Sequence, residues 1–105
     1  TLLNDPTETK AIRTVFGADA DALIVSSTKS MHGHLLGAAG GIETIAAILA
    51  MKNGIVPPAV NYDEPDPACD LDYTPNKAKE RNISVALSNS FAFGGLNAVV
   101  AFSKP

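Results

Sequence analysis

Cysteine and aromatic residues are scarce in this chain of 105 residues. Cys69 is the only cysteine, tryptophan is absent, and the aromatic residues together make up 6% of the sequence. A single cysteine excludes a disulfide within the chain and favours a reducing compartment, so we expect a cytoplasmic protein.

Basic runs and long apolar runs are also missing. Eight Lys and Arg residues are outnumbered by eleven Asp and Glu residues, for a net charge of −3, and no basic–aromatic patch suggests nucleic-acid binding. The longest apolar stretch, residues 35–51, is interrupted by Glu43 and by glycines, and it is short for a membrane span. No secretory signal pattern opens the chain. We therefore expect neither nucleic acid nor a membrane as a partner.

What the chain does contain suits a folded domain. Apolar residues make up 46% and charged residues 18%, a balance typical of globular domains rather than of disordered tails. The length allows one small domain, which we place at residues 1–105. Because the chain has no initiator Met and opens in loop-like sequence, we expect it to be a fragment of a longer protein.

The first half of the chain predicts two helices and a strand. Asp5 is predicted to cap a helix that continues through Glu8 and ends at Gly17. The apolar run at residues 23–25 predicts a buried strand. A second, long helix is predicted from His34 to about residue 53. Glycines near its start each weaken it by about 1 kcal/mol relative to Ala, so we expect close packing to bury that end.

The second half predicts a hairpin. Residues 55–82 are rich in proline and are predicted to form loops. Apolar and small or polar residues alternate over 83–88, which predicts a strand, and a glycine turn at 91–95 leads to a second strand at 98–102. Together the elements favour an α/β layered arrangement with a thin core of its own.

Two basic residues of the polar segment 26–34 are candidates for chemistry. A histidine at a helix N-terminus is favoured in its neutral form and can donate an N–H to a developing oxyanion, which makes His34 the first candidate. Lys29 precedes it in the same segment. A structural histidine and a solvated lysine are the alternatives, and His32 is interpreted as a loop residue.

Acidic residues and a glycine turn supply further candidates. Glu43 lies within an apolar helix, where a buried carboxylate needs a cation or several donors, so Lys29 or a bound metal ion is its expected partner. Asp5 and Glu8 are interpreted as helix-capping residues. The turn at 91–95 is either a hydrophobic hairpin turn or a mobile gate whose backbone N–H groups supply oxyanion donors.

Several of these segments resemble a known family. The run SSTKSMHGHLLGAAGG at residues 26–41, the stretch at 61–75, and residues 87–91 and 93–95 are similar to segments of the type II β-ketoacyl-acyl-carrier-protein synthases. The resemblance implies an α/β, thiolase-like fold, of which this chain would be the end of the second half, with a mixed sheet and a buried helix. It also implies the decarboxylative Claisen condensation of an acyl-enzyme with malonyl-acyl carrier protein in fatty acid elongation.

The resemblance implies three catalytic roles. His34 would be the second catalytic histidine and would bond the malonyl thioester carbonyl, while Lys29 would organise the histidines electrostatically. Phe93 would act as the gate, and its backbone N–H would be part of the oxyanion hole.

The resemblance also assigns the surroundings of that site. Asp5, Glu8 and Glu43 would form an acidic network, Thr1 would bind pantetheine, and Phe91 would line the pocket. Glu43, Ser88 and Asn89 would hold a structural monovalent cation, as in some relatives, and no other cofactor is implied.

Part of the family's active site would lie outside this chain. The nucleophilic cysteine and the first histidine would precede Thr1, and Cys69 lies outside the matching motifs, so we expect the 105 residues alone to be inactive. The complete protein would be a homodimer acting with acyl carrier protein. Two alternatives remain: a non-catalytic, chain-length-factor-like homologue in a heterodimer, and a free-standing interaction module, which the thin core disfavours.

Overall fold

The computed structural model describes all 105 residues. It contains three α-helices, two 3-10 turns and four strands. In chain order these are α1 (Asn4–Phe16), a 3-10 turn (Gly17–Ala22), α2 (Lys29–His32), a 3-10 turn (Leu36–Ala38), α3 (Ala39–Asn53), β1 (Ile55–Val56), β2 (Lys79–Glu80), β3 (Val85–Ala92) and β4 (Leu96–Ser103).

Helix α1 is present but begins earlier than predicted. Its N-cap is Leu3, which makes no side-chain capping bond, so the prediction that Asp5 caps the helix is wrong. Asp5 instead lies in the first turn, where a carboxylate still interacts favourably with the positive end of the helix dipole. The predicted end at Gly17 is confirmed, with φ of 56°.

The predicted strand at residues 23–25 does not form. Ile24 makes one isolated parallel bridge with Asp72, and the Val25 N–H donates to the Asp72 carbonyl at 2.8 Å. The partner of this apolar run is a loop rather than a strand, so pairing stops after a single bridge.

The predicted long helix is broken at its start. Lys29–His32 forms a separate single turn that ends at Gly33, which has φ of 80°. Leu36 has φ of 50°, in the left-handed region that a non-glycine residue rarely adopts. Helix α3 therefore begins at Ala39 and not at His34, while its end at Asn53 with the left-handed Gly54 agrees with the prediction.

Close packing at the glycine-rich start of α3 is limited to one contact. A Cβ at Gly40 would lie 3.8 Å from Ser90 Oγ on β3, whereas a Cβ at Gly37 or Gly41 would meet no atom within 4 Å. The expectation that this end is buried is therefore wrong for most of the small residues, although Ala39 is buried.

The hairpin is confirmed. Strands β3 and β4 pair antiparallel from Val85↔Ser103 to Ala92↔Leu96. Both strands extend further toward the turn than predicted, so Phe91 lies in β3 and only residues 93–95 form the turn. Gly94 and Gly95 have φ of 82° and 80°, which explains glycine at both positions. The pair β1–β2 was not predicted, since each strand has two residues.

The core is thin, as predicted. Only 6 of the 105 residues are buried, among them Ala39, Met51 and Val56. Most apolar side chains of α3 and of the hairpin are partly exposed, so α3 is not a buried helix within this chain. None of the helices has the length and apolar character that crossing a bilayer requires. The exposed apolar side chains on these elements include Ile42, Ile45, Ile48, Leu49, Val85, Leu87, Leu96, Val99 and Val100.

Candidate active site

An ion pair joins α2 to α3. The Lys29 ammonium contacts Oε1 of Glu43, whose side chain is only 13% exposed. That oxygen is buried and accepts no regular hydrogen bond, so the ammonium supplies the charge that a buried carboxylate requires. Of the two partners expected for Glu43, the structure contains Lys29.

His34 lies in the break between α2 and the turn before α3. Its Nδ1 accepts the N–H of Leu36 at 3.1 Å. A neutral imidazole with Nδ1 acting as acceptor carries its proton on Nε2. His34 therefore presents an Nε2–H donor on an exposed ring. The expected dipole of a helix beginning at His34 is absent, and the backbone bond from Leu36 fixes the tautomer instead.

His32 is the last residue of α2 rather than a loop residue. Its Nδ1 lies 2.8 Å from the carbonyl oxygen of Gly33, and its Nε2 lies 3.0 Å from Thr28 Oγ1. Both ring nitrogens are thus engaged within the segment that carries Lys29 and His34. We call residues 26–38 the site segment.

The two acids of α1 are separate from that ion pair. Glu8 Oε1 accepts a hydrogen bond from Asn89 Nδ2 on β3 at 3.1 Å. Asp5 Oδ1 accepts from Asn4 Nδ2 at 3.1 Å. No salt bridge connects either acid with Lys29, so direct contacts do not join the expected acidic network.

The residues predicted to bind a monovalent cation belong to α3 and β3. The Asn89 amide nitrogen is bonded to Glu8, which leaves its oxygen available. Ser88 lies on the same side of β3 as Ser90, the residue nearest to α3 at Gly40. Oxygen donors of this kind suit a hard cation, but Lys29 already balances the charge of Glu43. No cluster of three or more His, Cys, Asp or Glu side chains forms a metal site.

The aromatic residues of the hairpin are accessible. Phe93 at the turn is 95% exposed, and Phe91 on β3 is 48% exposed. The proximity of Gly40 to Ser90 places the start of α3 beside the turn end of β3. The residues before α3 and those of the turn therefore lie at the same end of the α3–β3 pair.

We call residues 57–82 the proline-rich segment. Hydrogen bonds that were not predicted from the sequence fasten it to the rest of the chain. Thr9 on α1 hydrogen-bonds the Tyr73 hydroxyl, and burial raises the pKa of that phenol. Arg13 bonds Asp70 at 3.0 Å and Asp21 at 2.6 Å. The Arg13 hydrogen bond holds the pKa of Asp70 below its usual range. Helix α1 is thereby fastened to the segment at two points.

Two further contacts stabilise the proline-rich segment, one within it and one to Val25. Lys79 Nζ lies 2.6 and 2.5 Å from the two carboxylate oxygens of Asp72, and this hydrogen bonding lowers the pKa of Asp72. Thr74 is fully buried and donates through Oγ1 to the Val25 carbonyl at 2.9 Å. Cys69 is half-buried in this segment. Thr1, the first residue of the chain, is exposed.

Sequence comparison decides the family. Residues 1–63 match the profile of the family described as "Beta-ketoacyl synthase, C-terminal domain". The chain belongs to the β-ketoacyl synthase family. The match includes Lys29, His34 and Glu43 but ends before the hairpin that carries Phe93.

Curated relatives match almost the whole chain. Nodulation protein E of Rhizobium sp. (strain N33) is 59% identical over 104 residues, which are 99% of this chain and 26% of that protein. The 3-oxoacyl-[acyl-carrier-protein] synthase 2 of Synechocystis sp. (strain ATCC 27184 / PCC 6803 / Kazusa) is 54% identical over 101 residues, covering 96% and 24%. The chain thus spans about a quarter of the length of the relatives it matches.

A solved β-ketoacyl synthase structure shows the same fold. It is a type II polyketide synthase acyl-carrier protein in complex with its ketosynthase bound to the hexaketide, with a TM-score of 0.95 and 42% identity. The alignment covers 98% of this chain and 25% of that one. The expected thiolase-like fold is confirmed.

Proposed function

We propose that the complete protein is a 3-oxoacyl-[acyl-carrier-protein] synthase and that this chain supplies the malonyl side of its active site. The observation that carries the proposal is the His34 tautomer: Nδ1 is occupied by the Leu36 N–H, so an exposed Nε2–H donor remains. The Lys29–Glu43 ion pair is close to His34 in sequence and joins the site segment to α3.

The proposed role of His34 is to stabilise the enolate. When the bond between the malonyl α-carbon and its carboxylate breaks, CO2 leaves and the electron pair forms an enolate whose charge resides on the thioester oxygen. A fixed N–H donor bonds that oxygen more strongly as charge develops, which lowers the barrier. The enolate carbon then attacks the acyl thioester on the cysteine, a carbon–carbon bond forms, and the cysteine thiolate leaves.

Lys29 has a positioning role in this proposal. Its ammonium is held by Glu43 on α3, so α2 is fastened to the longer helix behind the site segment.

The hairpin turn has the properties of a gate. Phe93 is almost fully exposed and is followed by two glycines with positive φ, so its backbone can change conformation at low cost. In the proposal Phe93 admits substrate and its N–H contributes to the oxyanion hole, while Phe91 lines the pocket. Thr1 would bind the pantetheine arm.

Acyl carrier protein is the proposed partner. The name of the Synechocystis relative includes acyl carrier protein, and the solved ketosynthase is in complex with an acyl carrier protein. We also propose a homodimer in the cytoplasm. A monovalent cation at Glu43, Ser88 and Asn89 stays a prediction with a structural role and enters no step of the reaction.

A role in nodulation is the second candidate, because Nodulation protein E is 59% identical to this chain. The acyl product would distinguish the two roles. A protein serving general fatty acid elongation should form saturated 3-oxoacyl products of ordinary chain length. A specialised protein should form products derived from an unusual acyl primer.

The test uses the complete protein with acyl- and malonyl-acyl carrier protein. We expect CO2 release together with a 3-oxoacyl-acyl carrier protein, detected by mass spectrometry. The 105 residues alone should form no such product, since the nucleophile is predicted to lie outside them. If the complete protein released CO2 but formed no condensation product, the chain-length-factor-like alternative would be favoured. Absence of both reactions would contradict the proposal.

A further inference from the structure

We infer that His32 is a positioning residue that fixes the geometry of the site segment around Lys29 and His34. The inference rests on the proposed function. Its basis is a pair of hydrogen bonds from one imidazole ring, to the Gly33 carbonyl at 2.8 Å and to Thr28 Oγ1 at 3.0 Å.

The carbonyl partner of the His32 ring requires a proton on Nδ1. A carbonyl oxygen can only accept, so Nδ1 donates to Gly33. Nε2 of the neutral ring then has a lone pair and accepts from the Thr28 hydroxyl. When the His32 ring is neutral, His32 and His34 hold opposite tautomers, with the proton on Nδ1 in the first and on Nε2 in the second.

The two bonds span the ends of a very short helix. Thr28 directly precedes Lys29, and the Gly33 carbonyl belongs to the peptide group that joins Gly33 to His34. Helix α2 has only four residues, too few to be rigid by its own backbone bonds. The His32 ring therefore connects Thr28, which precedes Lys29, to Gly33, which precedes His34. We call this pair of hydrogen bonds the clamp.

The Gly33 bond determines where the chain goes next. Gly33 has φ of 80° and ψ of 172°, a conformation that glycine enters and leaves easily because it has no Cβ. A bond to its carbonyl oxygen restricts ψ, and ψ of Gly33 sets the direction in which His34 leaves α2. Without the clamp, the His34 donor would sample positions away from the thioester oxygen.

Four variants of the complete protein test the clamp. His32→Ala removes both bonds, whereas His32→Asn keeps an amide N–H near the position of Nδ1 and loses only the Thr28 contact. Thr28→Val removes the hydroxyl without changing the side-chain shape, and Thr28→Ser is its matched control because it keeps the hydroxyl. The measurements are kcat and KM for malonyl-acyl carrier protein decarboxylation, thermal melting, and a crystal structure of His32→Ala.

We expect His32→Ala to lower kcat by about 10-fold, since a misplacement of about 1 Å in a reacting group can cost up to 10²-fold. KM should change less than about 2-fold, because the substrate's binding contacts are not removed. His32→Asn should recover most of the rate, Thr28→Val should lower it about 3-fold, and Thr28→Ser should resemble the unaltered protein. The crystal structure should show a rotated Gly33 peptide.

Three results would overturn the inference: an unchanged kcat in His32→Ala, a loss of rate that His32→Asn does not recover, or an unmoved Gly33 carbonyl and His34 ring in the His32→Ala structure. If the unaltered protein decarboxylates nothing, the proposed function fails. The position of the Gly33 peptide then still decides whether His32 is a clamp.

Discussion

The two long irregular segments of this protein are held in different ways. Most hydrogen bonds of the site segment, residues 26–38, are short-range, such as Leu36 N–H to His34 Nδ1 at 3.1 Å. Ser26 and Ser30 also tie it to the other segment, through the Pro57 carbonyl and the Val60 N–H. The proline-rich segment, residues 57–82, is fixed by contacts with distant residues, including Tyr73 with Thr9 and Thr74 with Val25.

The two kinds of hydrogen bond should affect different properties, catalytic rate in one segment and the free energy of unfolding in the other. Short-range, exposed hydrogen bonds add little to the free energy of unfolding but determine where an N–H points. Long-range, partly buried bonds connect elements that would otherwise separate, so they stabilise the fold. Loss of a hydrogen bond in the site segment should therefore alter rates, and loss of one in the proline-rich segment should alter stability.

The largest expected effect is on rate, from His34→Ala in the site segment. Loss of one donor to a developing oxyanion typically lowers the rate by about 10²–10³-fold. We expect that loss in malonyl decarboxylation, with acylation of the nucleophile nearly intact and little change in melting temperature. Separate assays of CO2 release and of acyl-enzyme formation check this. Intact decarboxylation with abolished acylation would assign His34 a different role.

The corresponding change in the proline-rich segment is Thr74→Val, which should affect stability. Thr74 is fully buried, and its hydroxyl donates to the Val25 carbonyl at 2.9 Å. Removing a buried hydrogen-bond donor costs about 1–3 kcal/mol. Denaturant unfolding of the complete protein measures the loss, while kcat should stay within about 2-fold because no reacting group moves.

Thr14→Val is the matched control for that change. Its hydroxyl also bonds a carbonyl, that of Lys10 at 2.8 Å, but it is exposed on α1. Water can replace the lost bond there, so the cost should be small. Equal losses at Thr14 and Thr74 would show that burial does not distinguish the two hydroxyls.

The Asp72–Lys79 ion pair predicts how stability depends on pH. The Lys79 hydrogen bond lowers the pKa of Asp72 in the folded state. A depressed folded pKa contributes stability above the ordinary aspartate pKa of about 3.9, and that contribution disappears as pH falls through the lower folded value. Between about pH 5 and pH 2, Asp72→Asn should therefore lose less stability than the unaltered protein.

Asp63→Asn is the comparison for Asp72→Asn, since Asp63 is exposed and forms no salt bridge. Melting temperatures across the same pH range provide the measurement. The same pH dependence in Asp72→Asn and in the unaltered protein would contradict a role for the ion pair.

The sequence predicted the parts of the fold that local patterns determine. Alternation and a double glycine were sufficient for the hairpin, and Gly17 and Gly54 marked two helix ends. The break before α3 was missed because it depends on the left-handed conformation of Leu36, which a leucine does not signal. The strand at residues 23–25 was wrong because its bridge partner, Asp72, lies in a loop far along the chain.

The candidate site was predictable to a similar extent. An acid within an apolar helix indicated the Glu43 ion pair, because a buried carboxylate requires a positive partner. The bond between Glu8 and Asn89 was not predictable, since the two residues are 81 positions apart. The engagement of both His32 nitrogens was missed as well, because Thr28 becomes a neighbour only once residues 29–32 form a helical turn, and the Gly33 carbonyl only once Gly33 adopts positive φ.

The smallest expected effect concerns backbone strain in the site segment. Leu36 has φ of 50°, so it has the cost of a left-handed conformation that leucine rarely adopts. Asn tolerates this conformation better than Leu. Leu36→Asn should therefore stabilise the protein by about 0.5–1 kcal/mol, by analogy with substitutions that suit the native φ.

The matched control is Leu35→Asn, because Leu35 has φ of −86° and holds no comparable strain. Denaturant unfolding of both variants should show a gain for Leu36→Asn and none for Leu35→Asn. The Leu36 N–H that orients His34 belongs to the backbone and survives the substitution, so kcat should change less than about 2-fold. A gain in stability accompanied by a large loss of kcat would mean that the strain itself positions His34, and the site segment would then influence both rate and stability.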